Sequence, residues 1–148
     1  MDFQDQIRAT GSLTIIKTDI NGNITDKRYI PNLVVTVGKE FIVSRMIGTS
    51  AAVMSHMGVG TGVTSPLISN TAVESPLGAR VALSSTTQSS NTVTYVAAYG
   101  AGVSTGALTE AGIFNAVTAG SMLCRTIFPV VNKAIGDSIA ITWVVTIS

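Results

Sequence analysis

The chain has 148 residues, of which 46% are hydrophobic and 11% charged, with a net charge of +1. That is room for one core and not two. It offers no clustered Lys and Arg to displace counterions from a nucleic acid, and too few charges to keep a lone molecule from associating with its copies. Ten of the seventeen charged residues fall in the first forty positions, so the front of the chain is its best-solvated part. The single cysteine, Cys124, excludes an intrachain disulfide framework. Residues 1–6 lack a charged segment followed by an apolar one, so no secretory signal is expected. Mean hydropathy is +0.47 and no formal charge lies between Arg45 and Glu74. Gly, Ser, Thr, Asn and Pro nevertheless interrupt that span too often for the roughly 20 apolar residues of a membrane helix, and no membrane partner is expected.

In chain order, residues 1–10 read as a polar arm with Phe3 and Ile7 as apolar anchors, able to order against a neighbour. Residues 13–17 and 24–30 flank Asn21-Gly22-Asn23, which tolerates the positive φ of a hairpin turn. Pro31 ends that unit, and residues 32–36 form a short further strand. The spacing of Val37, Phe41, Ile42, Met46 and Ile47 predicts a helix over 37–47 with one buried face. Thr36 is its expected N-cap, Glu40 lies in its first turn, and Gly48 stops it. Gly58-Val59-Gly60-Thr61-Gly62 reads as a turn, 70–77 as holding a helical turn, 80–83 as a strand and 84–91 as a loop.

Residues 91–99 form a clear strand, with Val93, Tyr95, Ala97 and Tyr99 on one face. Strands over 109–116, 121–128 and 138–148 then close the chain as an antiparallel meander, with turns at Thr118-Ala119-Gly120 and Ile135-Gly136-Asp137. In the last strand the large apolar side chains, Trp143 among them, occupy the odd positions, the two-residue period of a half-buried strand. Eight or nine short strands and one helix predict a mainly β fold, an antiparallel β-sandwich spanning 11–148 behind the 1–10 arm. Trp143, Phe114, Phe128, Ile141 and Tyr95 are its expected core.

Chemistry is sparse. The glycine run is similar in composition to a phosphate-cradling loop, but no Lys follows it and no long helix comes next. His56 is the single histidine, and no cluster has metal-ligand spacing within one chain. A ring of His56 about a symmetry axis is the one metal site left open. Cys124 has apolar strand neighbours and no activating base, so it reads as a small core residue. Glu74 and Glu110 are the sole carboxylates between Phe41 and Asn132, too few for paired acid–base work, and one histidine cannot justify a triad. No catalytic residue, cofactor or metal is expected. Glu110 lies in an apolar strand, where a desolvated charge must find a partner, so it is expected to pair with Arg125 or Arg80.

The succession Gly58-Val59-Gly60-Thr61-Gly62, Asn70-Thr71-Ala72-Val73-Glu74, Arg80, Leu108-Thr109-Glu110-Ala111-Gly112-Ile113-Phe114-Asn115, Met122-Leu123-Cys124-Arg125-Thr126 and Ile139-Ala140-Ile141-Thr142-Trp143 resembles small virion structural proteins of tailed bacteriophages. The match covers roughly residues 33–148, with Cys124 where Ala is usual and Ala72-Val73-Glu74 in place of a longer apolar and acidic stretch. The resemblance implies a non-catalytic structural role in the virion, as a capsid decoration or cement protein or as a tail, collar or fibre-attachment protein. Low charge and a polar arm fit the first, with the major capsid protein and copies of itself as partners and a trimer as the favoured assembly. A third reading, from another class, is a glycan- or host-receptor-binding module presenting an exposed aromatic.

Overall fold

The computed structural model describes residues 5–49 and 51–148. Its elements are β1 (Ala9–Thr18), β2 (Ile24–Val34), α1 (Thr36–Arg45), β3 (His56–Gly60), β4 (Val81–Ala82), β5 (Ser85–Ser89), β6 (Thr92–Tyr99), β7 (Gly106–Phe114), β8 (Met122–Lys133) and β9 (Ser138–Ile147). All pairings are antiparallel, in the order β4-β3-β7-β8-β2-β1-β9-β6-β5. The fold is therefore mainly β with a single short helix, and its nine strands form one continuous curled sheet. Both halves of that sheet feed one core, Leu13, Ile15, Tyr95, Ile141 and Trp143 from one half and Met57, Ile113, Phe128 and Val131 from the other.

Strand alternation explains that core directly. In β9, Ile139, Ile141, Trp143 and Val145 are buried while Ser138 and Ala140 are exposed. Trp143 is wholly buried, and Ile141, Tyr95 and Phe128 are buried with it; Phe114 joins Val35, Val73 and Met122 in a second, smaller cluster. Polar ties cross between the halves. The Tyr99 hydroxyl donates to the Met57 carbonyl at 2.8 Å, Lys17 Nζ to Asn132 at 2.8 Å, and buried Lys133 Nζ to Gly100 at 2.9 Å.

The β1–β2 hairpin turns at Gly22, whose φ is +83°. The Asp19 carboxylate accepts from the backbone N–H of Asn21 and of Asn23, both at 2.9 Å. Pro31 does not end this unit as expected, because β2 runs through it to Val34. The Pro31 carbonyl accepts from Thr126 of β8, so the missing N–H faces the same way, where the β2–β8 ladder begins only at Leu33. No ladder bond is lost, and β2 changes partners there, from β1 to β8. Pro129, the residue just past the strand expected over 121–128, likewise lies inside β8, which continues to Lys133. It falls in the irregular register between Leu108 and Glu110, where Arg28 satisfies the freed carbonyls of Pro129 at 2.6 Å and Val130 at 3.0 Å.

Four further expectations change. The closing meander is formed only in part: β7 and β8 pair as expected, but β8 is separated from β9 by β2 and β1, and β9 inserts between β1 and β6. Residues 85–89 form an edge strand and not a loop; their side chains are all exposed, so no apolar period marks them. Residues 70–77 contain no helical turn. The arm is shorter than 1–10, since Ala9 and Thr10 pair with Ile147 and Thr146. Ile7 is 84% exposed and Phe3 lies outside the described residues.

The helix runs from Thr36 to Arg45, with Val35 and not Thr36 at its N-cap and no acidic residue in its first turn. Its expected apolar face is only partly buried. Phe41 and Ile42 pack on the core, but Met46 and Ile47 are 82% and 81% exposed. Gly38 sets the helix position, because a Cβ there would run into the backbone of Leu123 in β8.

Candidate functional site

The most elaborate polar constellation in the fold surrounds Glu110 of β7, which shares a face with Gly112 and Phe114, opposite the face that Ala111 and Ile113 turn to the main core. Its carboxylate is wholly buried and accepts five hydrogen bonds. Oε1 takes the backbone N–H of Gly62 at 3.0 Å and of Ser75 at 2.7 Å. Oε2 takes the backbone N–H of Glu74 at 2.9 Å, with Arg125 Nε at 3.1 Å and Nη2 at 2.8 Å. A carboxylate has about four lone-pair positions, so this one is saturated.

Arg125 reaches the site because Gly112 of β7 lies opposite it on β8. Its own exposure is 2%, and its Nη1 donates to Asn70 Oδ1 at 3.1 Å. Asn70 in turn accepts the backbone N–H of Leu67 at 2.8 Å. Glu74 stands at the outer lip, 3.5 Å from Arg125 Nη2. It accepts both the backbone N–H and the hydroxyl of Thr64 at 2.9 Å. Those bonds, chiefly the one from the Thr64 backbone, hold the Glu74 carboxyl below its ordinary pKa.

The glycine run now has a physical meaning. Gly60 lies in β3 and is not a turn residue; a Cβ on either Gly60 or Gly62 would overlap the Glu110 carboxylate. Small residues here make room for an anion that belongs to the protein itself. Sequence reasoning anticipated the Glu110–Arg125 pair but not Gly62, Asn70, Ser75 or the lip formed by Glu74 and Thr64. Backbone N–H donors carry no residue signature, although Glu74 stands out as the single charged residue between Arg45 and Arg80.

Arg80 does not share the ion pair. Its guanidinium lies 3.4 Å from the centroid of the Phe114 ring, a cation–π stack. From there Nη1 donates to the carbonyls of Ala116 at 2.9 Å and Ala119 at 2.8 Å. Asn115 ties the same turn, accepting from the Ser121 N–H at 2.7 Å. The two arginines thus clamp neighbouring segments of the same half of the sheet.

No family model, curated protein or solved structure matches the chain. Of the pieces on which the resemblance to phage virion proteins rests, Ile139–Trp143 lies apart in β9, and the others hold residues that lie together. The glycine run, Asn70, Glu74, Glu110 and Arg125 meet in one network, and Arg80 with Asn115 adjoins it.

The remaining candidates are placed as follows. The His56 ring lies 2.8 Å from the Ser55 hydroxyl. No group of three or more metal-ligating side chains occurs among the described residues. Cys124 is wholly buried in β8, and that burial pushes its thiol pKa well up. An apolar groove runs between α1 and the β6–β9 pair, lined by Phe41, Ile42, Val93, Tyr95, Leu123 and Val145. Tyr29, on the outer face of β2, is 74% exposed.

Proposed function

We propose that the chain is a non-catalytic structural protein of a tailed-phage virion, acting as a capsid decoration or cement protein. The observation that carries this reading is the state of Glu110. A carboxylate with five donors and no exposure holds loops to strands and has no lone pair to offer a substrate. The exposed apolar side chains support it too: Ile20, Met46, Ile47, Val63 and Ile135 are each more than two-thirds exposed, a surface suited to being covered by neighbours. The polar residues ahead of β1 leave the body beside β9, where Arg8 and Ser148 exchange backbone hydrogen bonds of 2.7 and 2.9 Å. They are positioned to reach an adjoining subunit.

Localisation and copy number in purified virions test the reading. Hundreds of copies on the shell are expected; three, six or twelve would assign the protein to the tail, collar or fibre attachment. Deleting residues 1–7, which spares β1, should leave a folded protein that no longer coats particles, and normal coating would defeat the cement role. Tyr29 is the exposed aromatic on which the glycan- or receptor-binding alternative depends. Glycan binding abolished by Tyr29→Ala would favour that alternative.

A further inference from the structure

The two edges of the sheet are finished differently. At one edge, β3 is covered along its length. His56 and Met57 pair with β4, Ser55 accepts from Leu83, Val59 from Leu77, and Thr61 donates to Ser75, each of these three bonds being 2.9 Å. The strand that ends this side, β4, is two residues long, a length that offers little to a passing strand. At the other edge, β5 pairs with β6 through five residues in unbroken register, and among the described residues no strand lies beyond it.

Nothing blunts that second edge. All five residues of β5 are exposed. It contains no proline, no bulge and no charge, and no charged residue occurs anywhere from Val81 to Thr109. Lysines, prolines and inward charges are the usual protection of an open edge, and here all are missing together. Its backbone N–H and C=O groups on that side are free to form a further ladder.

We propose that β5 is a self-pairing edge, joining two copies of the chain antiparallel about a two-fold axis at Thr87. Only one of the two edges is open, so head-to-tail pairing of unlike edges is disfavoured and the contact is isologous. The sequence Ser85-Thr86-Thr87-Gln88-Ser89 matches itself under that axis, placing Ser85 against Ser89, Thr86 against Gln88 and Thr87 against its own copy. Each is a neutral hydrogen-bonding pair, and none sets like charges opposite each other. The inference does not rest on the virion role. Any three-fold assembly, as expected for the decoration reading, would use other surfaces.

A five-residue ladder covers less than the roughly 1,600 Å² of a standard stable interface, so the association is weak and is best trapped covalently. Cys124 is buried and leaves the background clean. Cα atoms paired across an antiparallel ladder lie about 4.5–5.5 Å apart, within disulfide range. Under mild oxidation Thr87→Cys should form covalent dimers several-fold faster than Ile20→Cys, a control at the exposed hairpin tip. Ser85→Cys mixed with Ser89→Cys should cross-link, and each alone should not. Thr87→Lys should lower the dimer fraction in a sedimentation concentration series with an unchanged Tm. Equal cross-linking rates at Thr87 and Ile20, a wild type monomeric at every concentration, or an assembly indifferent to Thr87→Lys would each overturn the proposal.

Discussion

Glu110 and Glu74 both address the Arg125 guanidinium, at 2.8 and 3.5 Å, yet the first is wholly buried and the second keeps 42% of its side chain exposed. Glu110 has lost all contact with water and regains five hydrogen bonds, so its energy depends on every donor being in place. Glu74 gives up little hydration and bonds one local residue, Thr64, so its pairing with Arg125 is screened. The same two charges at similar separations therefore serve different ends. One fixes two segments of chain, at Gly62 and at Glu74–Ser75, to the sheet, and the other trims a lip.

The sharpest way to break this contrast is Glu110→Ala. It leaves a buried guanidinium without its close counter-charge and three backbone N–H groups without an acceptor, and should cost about 3–5 kcal/mol, a large part of the stability of a domain this size. A fall in the urea midpoint at unchanged m-value checks it, and a wild-type midpoint would refute the account. Arg125→Met should cost slightly less, about 3 kcal/mol, because Glu110 keeps its three backbone donors. Combining Glu110→Leu with Arg125→Met should recover only part of the loss, since each backbone N–H left unpaired still costs about 1–3 kcal/mol. Full recovery would show that the loops around residues 62 and 74 do not depend on the carboxylate.

Gly62→Ala should destabilise by about 1–3 kcal/mol through crowding of Glu110 and Glu74, read in the same unfolding experiment. Glu74→Gln should have the smallest effect, and one that depends on pH. The folded carboxyl titrates below its ordinary value of 4.5, so its contribution is complete above that pH and is lost as pH falls through the lower folded value. Stability curves of wild type and Glu74→Gln should run parallel at neutral pH and converge in acid. Convergence on raising the pH would reverse the assignment.

Much of the body of the fold is legible in the residues. Alternation in 91–99 and 138–148 places Tyr95, Ile141 and Trp143 inside, and Asn21-Gly22-Asn23 marks its hairpin. Glu110 announces a partner because a charge in an apolar strand has no other recourse. What is not legible depends on neighbours distant in sequence. Pro31 and Pro129 resemble terminators until it is known that one faces away from its ladder and the other sits in a bulge. Residues 85–89 carry no apolar period because an edge strand need satisfy only its backbone. Strand order was hidden for the same reason: local turns suggest a meander, whereas burial of both faces of the core sends β9 across the molecule to β1 and β6.

That position of β9 governs the order in which the protein can be made. While the ribosome is still short of residue 138, β1 and β6 lack the strand that lies between them and to which each is zipped, through ten and eight residue pairs respectively. Folding must therefore wait for β9 and then close contacts between β1 and β9, far apart in sequence, a recipe for slow kinetics and for exposed strands during synthesis. A circular permutant that joins residue 148 to residue 8 and opens the chain at another turn would deliver β9 early, and should fold faster without altering the finished sheet.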